Sequence, residues 1–133
     1  MCMIDAADGR CILLHEQYRT ARKAHRCYEC GREISVGEKY LNECTLWEGR
    51  KDTVKTCSHC QVVRNWLSAE CGGFLYGAVA EDINEHVMDG YYGKGVTMLS
   101  VGIHRGWRKK NGDMWRVPSM PKTSHQLVRH TTV

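Results

Sequence analysis

Phenylalanine is nearly missing from this 133-residue chain: Phe74 stands alone beside four Trp and six Tyr. An aromatic core must therefore find partners for indole N–H and phenol O–H groups. Long apolar runs are missing as well. No stretch approaches the ~18 apolar residues of a membrane-spanning helix, which excludes such a span. The opening Met1-Cys2-Met3-Ile4-Asp5-Ala6-Ala7-Asp8-Gly9-Arg10 puts acids where a secretory signal needs basic residues and an apolar run, so secretion is not expected. No Gly-rich phosphate loop or paired-carboxylate signature is present, nor any internal repeat. Prolines occur only at 118 and 121, and 117–133 is expected to be a poorly ordered tail.

Cysteine, by contrast, is abundant, with eight in the chain. In a reducing compartment, the cytoplasm, paired cysteines point to metal rather than to disulfides. Cys27 and Cys30 form one Cys-x-x-Cys pair, and Cys57 and Cys60 form another. Two intervening residues let both sulfurs of a pair reach one ion, and two pairs complete a tetrahedral thiolate site for structural zinc. Four thiolates leave no position for water, so such an ion is not a hydrolytic centre. The competing readings are free buried thiols or a redox pair. A redox pair needs only one such motif, in a βαβ context that is not seen here. Cys2 and Cys11 are expected to be free. Cys44 and Cys71 are expected as small buried apolar groups, with a second site built from Cys44, Cys71 and a His as the sharper alternative. His25 and His59 flank the ligands as neighbours or replacements.

The chain divides into an arm at 1–24, a zinc-stabilised α+β domain at 25–116 and the tail at 117–133. A chain this short buries a modest core, so a metal would be a useful staple. Within the arm, 17–24 is polar and basic and suits a short helix or an extended arm. Cys27-Tyr28-Glu29-Cys30-Gly31 reads as a tight metal-binding turn, and Gly31 is free to take positive φ. A second turn is expected at 34–38, then strands at 39–47 and 52–56 joined by Glu48-Gly49-Arg50-Lys51. A helix starting near Cys57 would bury Val62, Val63, Trp66 and Leu67 and end at Cys71-Gly72-Gly73. A second helix over 75–88 places Leu75, Tyr76, Val79, Ile83 and Val87 inside and its acids outside. Asp89-Gly90 stops it, and 91–95 reads as loop. Leu99, Ile103 and Trp107 favour a helix over 96–110, although Gly102 and Gly106 oppose it. The order of knuckle, hairpin and a Cys pair opening a helix resembles a treble-clef zinc finger.

Several segments carry a wider resemblance. They are 21–31 (Ala-Arg-Lys-Ala-His-Arg-Cys-Tyr-Glu-Cys-Gly), Gly37-Glu38-Lys39-Tyr40 and 55–60 (Lys-Thr-Cys-Ser-His-Cys). Cys71-Gly72-Gly73-Phe74, the run from Glu81 to His86, that from Trp107 to Asp113, and Val117-Pro118 complete the set. Over about residues 21–118 the chain resembles small zinc-finger-like proteins, treble-clef or zinc-ribbon-like, encoded by phages and prophages. The resemblance implies a phage origin, residence in the host cytoplasm and antagonism of a host factor.

Net charge is +4, below a strong nucleic-acid footprint, but it is concentrated. Arg105, Arg108, Lys109, Lys110 and Arg116 face only Asp113 across 104–116. With Trp107 among them, these cations can contact phosphates while an indole stacks on a base. The plainer reading is a solvated basic helix face with Trp107 in the core. The expected function is that of a non-catalytic module binding nucleic acid or a host protein, without a membrane partner. The alternative is a His-metal finger (HNH-like) nuclease, for which His86, His104, Asp82 and Asn84 are the candidate residues. It needs a His general base and a catalytic divalent ion, and the cysteines already occupy the finger's ligand positions.

Overall fold

The computed structural model describes residues 2–3, 11–90 and 92–126. Residues 1, 4–10, 91 and 127–133, which include parts of the expected arm, loop and tail, lie outside the described residues. The fold is α+β. Five strands come first: β1 (Ile12–Thr20), β2 (His25–Arg26), β3 (Glu33–Ile34), β4 (Lys39–Trp47) and β5 (Arg50–Cys57). Among the described residues three longer helices follow, α1 (Ser58–Cys71), α2 (Val79–Asp89) and α3 (Lys94–His104), and residues 124–126 are helical as well. β1, β4 and β5 form an antiparallel sheet with β4 in the middle, and β2 and β3 form a small two-stranded sheet.

The β4–β5 hairpin is longer than expected because its turn is shorter. Trp47 pairs with Arg50, which leaves only Glu48 and Gly49 in the turn, at φ 49° and 80°. Positive φ at both positions matches the right-handed twist of the flanking strands. β1 is the main departure from expectation: the segment read as an arm or short helix is a nine-residue edge strand on β4. All nine of its residues are exposed. With no buried face there is no apolar period to read, and only pairing with β4 makes the segment a strand.

Tyr40, Val63, Trp66, Leu67, Val79, Ile83, Val96, Leu99, Ile103 and Trp107 pack together with Cys27, Cys57 and Cys60. α1 buries Val63, Trp66 and Leu67 as its spacing predicts, and Gly72 at φ 82° caps it. α2 starts at Val79 rather than 75, and its acids are not all outside: Asp82 is buried, as is the basic His86. α3 ends at His104, so the basic segment lies beyond the helix. Trp107 takes φ 61°, and 108–114 folds into a small hairpin through an Arg108–Met114 bridge.

Gly102 explains why a glycine sits inside a helix. A Cβ there would lie 2.2 Å from Trp107 Cζ3 and 2.4 Å from its Cε3. The indole packs directly on the helix backbone, and that contact outweighs the helix-propensity cost of about 1 kcal/mol.

Part of the expected tail is docked. Trp66 Nε1 donates to the Lys122 carbonyl at 3.2 Å. The Ser124 backbone N–H and hydroxyl both donate to Glu70, at 2.8 and 2.7 Å, and Thr123 is buried.

Candidate metal centre

Three elements bring four sulfurs together. The knuckle between β2 and β3 supplies Cys27 and Cys30, the end of β5 supplies Cys57, and the first turn of α1 supplies Cys60. Their Sγ atoms all lie within 4.8 Å of one another. Gly31, at φ 76°, turns the knuckle and returns its N–H to the Cys27 carbonyl at 3.0 Å. Tyr28 N–H donates to the Lys55 carbonyl at 2.8 Å and fastens the knuckle to β5. Cys27, Cys57 and Cys60 are fully buried, and Cys30 is half-buried.

The surroundings suit thiolates. Cys57 N–H donates to Cys27 Sγ at 3.3 Å, and Cys60 N–H donates to Cys57 Sγ at 3.5 Å, where that side chain caps α1. Trp107 Nε1–H donates to Cys60 Sγ at 3.3 Å. The helix N-terminus adds a favourable field for negative sulfur. The Cys30 thiol, donating to Cys27, helps draw the latter down to about 7. Hydrogen bonds from Cys27, Cys30 and Cys60 pull the Cys57 thiol below its ordinary value, while Cys30 and Cys60 are pushed up, each first by its hydrogen bond with Cys27 and then by those with other sulfurs of the cluster. Left to themselves, the four sulfurs share protons and do not all ionise. A thiophilic cation relieves that competition, and the donor set fits one.

His59 is a neighbour rather than a member of the cluster. Its Nε2–H donates to the Trp115 carbonyl at 2.6 Å, and its Nδ1 accepts from Arg32 Nη2 at 3.3 Å. Arg32 also pairs with Glu38 at 2.8 Å. His25 packs on the Tyr40 ring, 5.1 Å between centroids.

A buried charge network that sequence reading missed joins the knuckle to the helices. Arg64, with 1% of its side chain exposed, pairs with Glu29 at 2.6 Å and with Glu43 at 2.7 Å. Tyr76 O–H donates to the other Glu43 oxygen at 2.7 Å. Glu29 also accepts from the backbone N–H groups of Gly77 and Val79 at the start of α2. Glu29 lies between the two cysteines of the first pair and Arg64 follows the second. That proximity in sequence was the available signal, but nothing in the spacing names partners that are distant along the chain.

The basic segment needs one correction. Trp107 is fully buried against Gly102 and Cys60, so it cannot stack on a base. Arg105, Arg108, Lys109, Lys110 and Arg116 are exposed. A shallow groove is lined by Met98, Arg105, Lys109, Lys110, Trp115 and Arg116. The accessible aromatic among the cations is therefore Trp115, which meets Trp107 edge-on at 5.8 Å.

The four residues considered for nuclease chemistry are dispersed in role. Asp82 and His86 are buried and face each other. His104 Nδ1–H donates to the Ser100 carbonyl at 2.7 Å, and Asn84 accepts from the Ser100 hydroxyl at 3.4 Å. Among the described residues, Cys, His, Asp and Glu gather at metal-binding distances in two places only, the four-cysteine cluster and a group of Cys2, Cys71 and His86. Cys2 and Cys71, expected to be free and buried respectively, are joined as a disulfide. Cys44 is half-buried and outside both groups. Comparisons with protein-family models, curated proteins and solved structures find no match for this chain.

Proposed function

We infer that this chain is a zinc-stabilised, non-catalytic module that binds nucleic acid through the groove around Trp115. One observation carries the reading: exposed Arg105, Lys109, Lys110 and Arg116 surround a half-buried indole. That face is tied to the sulfur cluster by the bond from Trp107 to Cys60. Zinc suits four thiolates because it has no redox chemistry and accepts tetrahedral sulfur at ~2.3 Å. The knuckle, the hairpin and the helix opened by the second Cys pair support a treble-clef-like arrangement. Under the phage or prophage origin that the sequence resemblance implies, the target is a host nucleic acid or its complex in the host cytoplasm, and the role is antagonism of a host factor.

The test is binding of a labelled duplex and a labelled single strand across a salt series. Four phosphate contacts imply a slope of about −3 to −4 in log K against log salt on duplex DNA. Replacing Arg105, Lys109 and Lys110 with Glu should abolish binding with metal content unchanged. Affinity that ignores salt, or survives the charge reversal, overturns the nucleic-acid reading. Capture of a host protein from nuclease-treated lysate would instead point to a protein partner.

A nuclease would require His86 or His104 to activate water. His86 is buried and faces sulfur rather than an open cleft. His104→Ala should bind nucleic acid as the wild type does, and neither protein should cleave DNA in single-turnover reactions with magnesium.

A further inference from the structure

His86 sits at a second convergence of soft ligands, remote in sequence from the first. Its Nδ1 lies 2.8 Å from the Asp82 backbone carbonyl and 3.3 Å from the Asp82 carboxylate. Both neighbours are acceptors, so Nδ1 carries the hydrogen. In neutral imidazole that leaves the lone pair on Nε2, which faces Cys71 Sγ at 3.4 Å and Cys2 Sγ at 3.7 Å. The ring is held in this pose by Trp66, edge-on at 5.2 Å, and by Tyr92 at 5.5 Å. In that neutral form a disulfide offers the lone pair no hydrogen to accept, whereas a thiol or a bound cation would engage it.

Asp82 supplies the second, independent observation. It is 1% exposed, and among the described residues its two carboxylate oxygens have no partner beyond the ion-pair contact to His86. A buried carboxylate devoted to the far nitrogen of an imidazole is the outer partner that metal-ligating histidines usually have. It fixes the tautomer, raises the basicity of Nε2 and adds negative charge behind the site.

We propose that Cys2, Cys71 and His86 form a second metal site, which in the dithiol form takes one thiophilic divalent cation of the zinc class. The ligands are two thiolates and one imidazole Nε2, with Asp82 orienting the ring. Cys2 and Cys71 are only half-buried, so the cation can enter from solvent. A cation there ties the start of the chain to the end of α1 and to α2. It does so independently of the four-cysteine cluster, and its presence does not depend on nucleic-acid binding.

The test uses the full chain, with any tag at the C-terminus, reduced with a phosphine and stripped of metal. Titration with Co²⁺ and then Zn²⁺ should load two equivalents in the wild type, with two distinguishable cobalt spectra. Cys2→Ser, Cys71→Ser and His86→Ala should each load one, and that one should keep the four-thiolate cobalt spectrum of a folded cluster. The retained spectrum separates loss of the site from loss of the fold, and Cys2→Ser is the mildest change. A reduced wild type that loads one equivalent overturns the proposal, as does a Cys2→Ser chain that still loads two. Either result would leave Cys2 and Cys71 as a plain structural disulfide beside the His86–Asp82 pair. Failure of the first cluster would read differently, because the equivalent lost would then be the one that Cys60→Ser removes.

Discussion

Gly102→Ala tests the packing on which the candidate face depends. Helix propensity alone says that the change stabilises α3 by about 1 kcal/mol. The structure says otherwise. The new methyl would sit 2.2 and 2.4 Å from two carbons of the Trp107 indole and 3.0 Å from Trp115 Cζ3, where ordinary carbon contacts need about 3.5–4.0 Å. The indole is rigid and wholly buried, and its far edge is engaged with Cys60 Sγ, so it must shift by more than about 1 Å. Overpacking of a filled core costs about 1–3 kcal/mol, and so close an approach belongs at the upper end. After the propensity gain, the net loss is about 2 kcal/mol. It rises toward the ~3–5 kcal/mol of losing a buried Trp if the ring is expelled. In urea this lowers the midpoint by about 1 M, since slopes for small domains run about 1–3 kcal/mol per M. Gly93→Ala is the control: φ there is −77° and nothing lies within 4 Å of an added Cβ. Urea unfolding of the metal-loaded protein, followed by circular dichroism and tryptophan fluorescence, reads both variants. A Gly102→Ala midpoint equal to or above wild type would refute the packing of Trp107 on α3.

Other expectations follow from the same contacts. Purified protein should hold zinc at the four-cysteine cluster, and Cys27→Ser or Cys60→Ser should lose it and unfold the hairpin and α1; structural zinc supplies ~10–16 kcal/mol in finger peptides, and folded protein without bound metal by elemental analysis would sink the idea. Arg64→Ala should cost about 3–5 kcal/mol in urea unfolding, because it strands two buried carboxylates, and adding Glu29→Gln and Glu43→Gln should recover part of that loss. Trp115→Ala should weaken single-strand binding by about 1–3 kcal/mol, measured by fluorescence anisotropy, whereas Trp107→Phe should lower stability more than affinity. Burial pushes the Glu70 carboxyl up, but the Ser124 N–H and hydroxyl and the Tyr92 hydroxyl outweigh it and hold it below its usual value. Its contribution should therefore be full above an unfolded value of about 4.3 and fade as pH falls through the lower folded value. Stability measured from pH 6 downward should show the gap between wild type and Glu70→Gln closing in that range.

Local spacing by itself determined the four-cysteine cluster, the hairpin, the start and stop of α1 and the α+β class. Those features rest on residues close in sequence: two Cys-x-x-Cys pairs, Gly31 and Gly72 at positive φ, and an apolar period along one helix face. Where partners are distant, the same spacing was silent. β1 became a strand only through pairing with β4, since none of its residues is buried. The Glu29–Arg64–Glu43 network, the seat of Ser124 on Glu70 and the meeting of Cys2, Cys71 and His86 each join segments that no short-range pattern links. Trp107 shows the difference most directly. In sequence it is an aromatic among cations, suited equally to solvent or core. The chain turns at Gly106 and Trp107 after α3, and a bare glycine on that helix leaves room for the indole. Tertiary packing thus moved Trp107 to the core behind Cys60 and left Trp115 among the exposed cations.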